Sequence, residues 1–229
     1  ERALAHRLAW EDPLDMTTLI QDTRQVRPGT VEVWTLDEHG RAIMTSRADI
    51  ERQHLTPASS WDPRTEAPAL LESFIVSVEQ RLMADVPVGI VLSGGLDSAL
   101  VAAVAHEAAE RAGQPVPEVW TVAGSEDNPD WKAAETVASA LDLKHHQHLL
   151  DEGDFDRHLP NLVWHGEDLD TSVMFFQPLF QTMASSVKVG LCGQGADELH
   201  AGYPRYRDPQ AHAALVHQRL EAMDHPVAA

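Results

Sequence analysis

The stretch Val86–Ala108, "VPVGIVLSGGLDSALVAAVAHEA", begins apolar, turns on two adjacent glycines and resumes as an alanine-rich amphipathic run. It reads as a buried strand over Val88–Leu92, a turn over Ser93–Ser98 and a helix over Ala99–Ala112. Gly94 and Gly95 allow positive φ and let the backbone come close to a ligand. A helix that starts from such a turn offers unpaired N–H groups to an anion. The Ser93 and Ser98 hydroxyls can donate to phosphate oxygens, whereas the Asp97 carboxylate only accepts. A carboxylate beside phosphate calls for a cation between them, and Mg²⁺ takes one or two carboxylates together with phosphate oxygens. The plainer reading of Asp97 is a helix N-cap. The turn is not a Walker loop, since no lysine stands where that pattern needs one.

Outward from this turn, the pattern alternates between strand and helix. Leu70, Leu71, Phe74, Ile75, Val78 and Leu82 recur at helical spacing before it, giving a helix of about five turns. After it come a strand at Glu118–Gly124, a helix at Asp130–Leu141 and a strand at Lys144–Leu150. Helical segments at Asp154–Trp164 and Val173–Ser185 lead to a strand at Val187–Cys192, which ends in a second glycine turn, "GQGADE". Such alternation predicts an α/β fold, a parallel sheet with helices on both faces. Ligands bind beyond the carboxyl ends of such strands, where both glycine turns fall. Ahead of this region, "VEVWT" (Val31–Thr35), "DEHG" (Asp37–Gly40) and "RAIMT" (Arg41–Thr45) read as a small hairpin. "LTPASSWDPRTEAP" then reads as a linker, which divides the chain into residues 1–60 and 61–229.

Composition narrows the function classes. The 229 residues carry 36 acids against 17 Lys and Arg, a net charge of −19, with only Lys132, Lys144 and Lys188 as lysines. A nucleic-acid binder would be basic, so that class is excluded. An acidic surface of this kind suits a salt-rich cytoplasm, where repulsion is screened within about 3 Å at 1 M salt. The single cysteine, Cys192, rules out an internal disulfide and fits a reducing compartment. No apolar run approaches the ~20 residues of a membrane span, and the start shows no signal-peptide pattern. Because the first residue is Glu1, the chain is read as a piece of something longer. Cytoplasmic location follows as an expectation.

Smaller features have plain readings. His146 and His148 of "HHQH" would share one strand face, but two ligands make a weak metal site, and solvated histidines at a strand end are expected. In "HGEDLDTS" (His165–Ser172), Asp170 or Thr171 is read as a helix cap, with a substrate loop as the alternative. The tail "DPQAHAALVHQRLEAM" is amphipathic and is expected to pack.

"SGGLDS" resembles the pyrophosphate loop of the ATP pyrophosphatase (PP-loop) superfamily. "GLCGQGADELHAGYPRYRD" resembles the second signature of the asparagine synthetase family and is the more specific of the two. "VWTVAGSEDNPDWKAAETVASALDLKHHQ" is similar to that family's strand, acidic turn and helix over the adenine pocket. The resemblance spans about residues 60–208 and extends more weakly to "VRPGTVEVW", which is similar to the closing strands of the family's glutaminase domain. It implies an adenine nucleotide alpha hydrolase-like sheet preceded by a β-rich glutaminase remnant. It also implies a ligase that adenylates the side chain of aspartate, releasing pyrophosphate, before ammonia displaces AMP. ATP and Mg²⁺ are the cofactors it implies, with aspartate and ammonia as the remaining substrates. Ser93, Gly94, Gly95, Asp97 and Ser98 would hold pyrophosphate, with Asp97 and Asp197 on the metal. Leu92, Val122, Cys192 and Gly193 would lie along AMP, and Gln194 and Arg205 would serve the reaction. The family pattern S-G-E-G-x-D-E is altered here, with Cys192 for serine and Gln194 for the glutamate that handles the ammonia proton. Glutamine can hydrogen-bond but does not titrate. The glutaminase half's N-terminal cysteine nucleophile and the basic residues of a longer C-terminal region have no counterpart. A nucleotide-binding module without catalysis, or one completed by a separate glutaminase or C-terminal chain or by a homodimer, is the alternative from another class. Amidation of a different carboxylate is the third reading.

Overall fold

The computed structural model describes residues 3, 4, 6, 16–50, 62–166 and 176–222. The chain divides into two compact units, Glu1–Ala67 with Phe155–Met174, and Pro68–Asp154 with Phe175–Ala229.

The first unit contains the expected hairpin. Strands β1 (Thr30–Leu36) and β2 (Ala42–Asp49) pair antiparallel, with a register shift between Val33 and Trp34. The Asp37 side chain builds the turn, its Oδ1 accepting from the amides of His39 and Arg41, both at 2.8 Å. Gly40 closes it at φ 74°. Every residue of β2 is exposed.

The second unit is the parallel sheet that the sequence pattern predicts. Helix α1 (Pro63–Leu82) leads into β3 (Val88–Val91), α2 (Leu96–Ala112), β4 (Glu118–Ala123), α3 (Pro129–Ala140) and β5 (His145–Leu149). After α4 (Asp154–Gly166), which from Phe155 onward belongs to the first unit, come α5 (Phe176–Ala184), β6 (Val189–Leu191), α6 (Ala196–His200), a 3₁₀ turn at Pro204–Arg207 and α7 (Pro209–Ala222). Strand order is β5-β4-β3-β6, all parallel. The chain therefore steps from β3 outward through β4 to β5 and returns to the other side of β3. That reversal puts a switch point between the carboxyl ends of β3 and β6, where a ligand crevice belongs.

Alternation along the strands sends side chains into two cores. Ile90, Leu92 and Val119 face one layer with Ile75, Val78 and Leu82 of α1, Val101, Ala102 and Ala105 of α2, and Ala134 and Ala138 of α3. Val91, Trp120 and Val122 face the other, with Leu179 and Met183 of α5. Helices thus cover both faces. The second face has a flat layer across three strands. Trp120, 1% exposed, stacks on His146 with ring centroids 4.5 Å apart, and a Cβ on Gly89 would overlap the indole.

Three local expectations change. The histidines of β5 are partly buried, and two of them are tied to β4. His146 Nε2 lies 2.6 Å from Glu118 Oε2 and His145 Nε2 lies 2.8 Å from Thr121 Oγ1, because β4 runs alongside. Burial holds the His145 imidazole below its usual range. The amphipathic tail forms α7, yet none of its residues is buried. Asp97 is not the cap of α2, as shown below. The reading of Asp170 and Thr171 falls outside the described residues, as do residues 55–61 of the expected linker, whose last six residues, 63–68, instead open helix α1.

Candidate active site

Helix starts need partners for their first amides. Helix α3 has one, because the Asn128 side chain accepts from Asp130 N at 2.8 Å, with Pro129 next in line. Helix α2 has none. Its N-cap is Gly95, in extended geometry, with no side-chain cap, and Asp97 sits in the first turn. The amides of that turn stay open at the point where the helix dipole favours negative charge.

The loop before α2 shows why two glycines occur. Gly94 has φ 78°, and a Cβ there would meet Asp130 O and lie 2.7 Å from Ala134 N, so the turn packs on α3 backbone to backbone. Only glycine combines that φ with that approach. Gly95 faces open space, 3.4 Å from Ser93 Oγ at its nearest. The loop is tied by the Ser98 hydroxyl, which is 6% exposed. Ser98 Oγ donates to Gly95 O at 3.1 Å and accepts from Ser93 N at 3.1 Å, with Ser93 Oγ 2.9 Å away.

The second loop meets the first through Gly193. A Cβ on that residue would stand 2.8 Å from Ser98 N and 2.9 Å from Asp97 Cβ. Gly193 thereby leaves open the space over the first turn of α2 that any larger residue would fill. After it, Gly195 at φ 95° caps α6, which carries Asp197 and Glu198 in its first turn. Tyr203 OH donates to Glu198 Oε1 at 2.8 Å and holds that carboxyl below its ordinary value. The same bond raises the phenol of Tyr203.

Together these loops line a cleft of ≈ 280 Å³ walled by Ser93, Gly95, Asp97, Ser98, Cys192, Gly193, Gln194 and Asp197 from the expected set. Val91, Phe176, Gly195, Glu198 and Tyr203 complete the wall. Its described lining has three carboxylates, Asp97, Asp197 and Glu198, and no Lys or Arg. Four expected residues lie elsewhere. Leu92 is fully buried in the first core, Gly94 is packed on α3, and Val122 contributes to the second core. Arg205 is exposed, with its guanidinium 4.2 Å from the ring centroid of Tyr203 and 5.0 Å from that of Tyr206. Sequence reasoning passed over Glu198 and Tyr203, although both stand in the quoted second signature. Their spacing of five residues gives no sign that the chain turns back at Ala201, at φ 55°, and brings them together. Among the described residues no group of three or more His, Cys, Asp or Glu is placed to hold a metal by itself.

A parallel sheet between two helix layers, with an uncapped helix start and an acidic loop meeting at its switch point, defines an α/β protein with an acidic cleft at that point. The family model for asparagine synthase matches residues 69–225, and the chain belongs to that family. It is 37% identical over 150 residues to a probable glutamine-hydrolysing asparagine synthetase of Dictyostelium discoideum, covering 59% of this chain and 27% of that protein. It is 36% identical over 158 residues to the asparagine synthetase of Asparagus officinalis, covering 64% of this chain and 26% of that protein. The chain thus spans about a quarter of the length of these relatives. Among solved structures, an NH3-dependent NAD synthetase from Campylobacter jejuni aligns with a TM-score of 0.41 at 18% identity, over 59% of this chain and 60% of that one.

Proposed function

We propose that this chain is the nucleotide-binding part of an ATP-dependent, amide-forming ligase of the asparagine synthetase type. The side-chain carboxylate of aspartate attacks the α-phosphorus of ATP, forming the acyl–adenylate and releasing pyrophosphate. Ammonia then attacks the acyl carbon, the acyl C–O bond breaks with its oxygen and electron pair leaving as AMP, and the nitrogen gives up a proton. Adenylation is needed because a carboxylate is a poor electrophile with a poor leaving group. The carrying observation is the approach of Gly193 to the first turn of α2, which puts the serine–glycine and acidic loops around one cleft.

The residues present fit the nucleotide. Open amides at the start of α2 and the Ser93 hydroxyl are donors for pyrophosphate oxygens. Three carboxylates and no cation in the described lining repel a bare polyphosphate. Asp97 and Asp197 would therefore hold Mg²⁺, whose remaining positions phosphate oxygens would fill, and the ion would supply the charge neutralisation that this wall lacks. Leu92 and Val122 would act on the AMP half through their strand ends. Arg205, held against two tyrosines, would orient the acidic loop. Gln194 can hydrogen-bond the incoming nitrogen but not take its proton.

Residues 1–60 would be the remnant of a glutaminase-type domain with its linker, and residues 61–229 the ATP-binding domain. A second reading, a module that binds nucleotide and is completed by another chain, is favoured by the absence of cations from the described lining. Aspartate-dependent exchange of labelled pyrophosphate into ATP separates the two. Exchange that requires aspartate supports the ligase; nucleotide binding without exchange supports the module. Exchange only with another carboxylate would change the acceptor.

A further inference from the structure

We infer that the Ser98 hydroxyl is an internal latch of the β3–α2 loop, acting on a bound anion by shaping the loop and not by touching the anion. The inference rests on reading the cleft as a pyrophosphate site. The two serines of "SGGLDS" look equivalent in sequence, yet their surroundings differ. Ser93 is exposed, whereas Ser98 is 6% exposed and lies beneath Gly193.

Hydrogen-bond accounting decides their roles. A serine hydroxyl has one hydrogen to donate and two lone pairs. Ser98 spends its hydrogen on Gly95 O at 3.1 Å, so the 2.9 Å contact must be donated by Ser93 Oγ. The amide of Ser93 fills the remaining lone pair at 3.1 Å. The capacity of Ser98 is therefore complete without a ligand. Donating to phosphate would break its bond to Gly95 O, the carbonyl that also accepts from Ala99 N at 3.0 Å and starts α2. Holding this carbonyl toward the helix is what turns the following amides outward. Ser93, at the surface, can swing its hydrogen from Ser98 to an anion and leave the other two latch bonds intact. A buried serine bonding back to a carbonyl of the preceding turn is a common local habit in helices. The bonds to Ser93, which close the loop across its whole length, distinguish the latch from that local habit.

A double-mutant cycle tests the difference. Ser93→Ala, Ser98→Ala and the double variant are compared with the unmodified chain by calorimetric titration of inorganic pyrophosphate with Mg²⁺. Ser98→Cys serves as a second variant that keeps the volume and loses the strong hydrogen bonds. Each single Ala variant should weaken binding about tenfold, Ser98→Cys should match Ser98→Ala, and the double variant should be little worse than Ser98→Ala. Losses that multiply to about a hundredfold would mean two independent contacts and overturn the latch. Unchanged affinity in Ser98→Ala would overturn it equally. If the unmodified chain binds no magnesium pyrophosphate, the ligase reading fails, and hydrogen exchange then judges the latch. Faster exchange of the Leu96 and Asp97 amides in Ser98→Ala would sustain it, and unaltered exchange would refute it.

Discussion

Gly193 shows how much of the site rests on a missing side chain. Its Cα packs against the first turn of α2, with Ser98 N 2.8 Å from where a Cβ would be. Gly193→Ala should weaken ATP binding by at least about tenfold, the cost of pushing the acidic loop off the open amides. Calorimetric titration with ATP and Mg²⁺ measures it, and unaltered affinity would show that the loops need not touch. At Gln194, reinstating a titratable group should raise ammonia-dependent turnover, so Gln194→Glu is expected to be faster than the unmodified chain. No gain would mean that the proton leaves by another route. In the same loop the Tyr203 hydroxyl holds the Glu198 carboxyl below its ordinary value. Tyr203→Phe should let the Glu198 carboxyl rise toward its ordinary value, readable by NMR titration. The motif letters announced Ser93, Asp97 and Asp197, all of which line the cleft, but they did not distinguish the two serines. That difference lies in burial and hydrogen-bond count, which letters do not carry.

Among the elements, β3 and β4 carry the clearest sequence signal, because strands buried on both faces are nearly continuous apolar runs. Their pattern showed the strands but not which face meets which layer. The side chain of Leu92, expected beside AMP, accordingly faces the first core with 0% exposure. Helix α7 shows the reverse failure, since an amphipathic pattern says a helix has an apolar side but not that anything covers it. Gly89 and Trp120 form a size-matched pair across β3 and β4. Gly89→Ala should therefore destabilise the domain by about 1–3 kcal/mol through overpacking, which thermal unfolding would register. At the amino end of β4, Glu118 is held below its ordinary 4.5 first by the Lys144 hydrogen bond and then by that of His146. A carboxyl depressed in the folded state stabilises it above its unfolded pKa. The advantage of the unmodified chain over Glu118→Gln should be complete above about pH 4.5 and vanish as pH falls through the folded value. An advantage that persists in stronger acid would contradict the assignment.

For the molecule as a whole, strand order is what sequence could not supply, and strand order creates the site. The loops after β3 and β6 are a hundred residues apart in sequence and become neighbours only because β6 inserts beside β3, with Ile90 opposite Leu191. The resemblance supplied that pairing in advance; periodicity did not. Charge is a second whole-molecule property. With a net −19, the folded state repels itself, so its unfolding midpoint should rise with KCl up to about 1 M, where the screening length is about 3 Å. In the proposed function Asp97 and Asp197, from loops on adjacent strands, jointly hold magnesium-bound nucleotide. Calorimetric titration of ATP with and without Mg²⁺ tests it on the unmodified chain, Asp97→Asn, Asp197→Asn and the control Asp127→Asn, whose carboxylate pairs with Lys132 outside the cleft. Mg²⁺-dependent binding is expected in the unmodified and control chains and its loss in each of the other two, with unfolding midpoints preserved. Equal ATP affinity in all four proteins would contradict it.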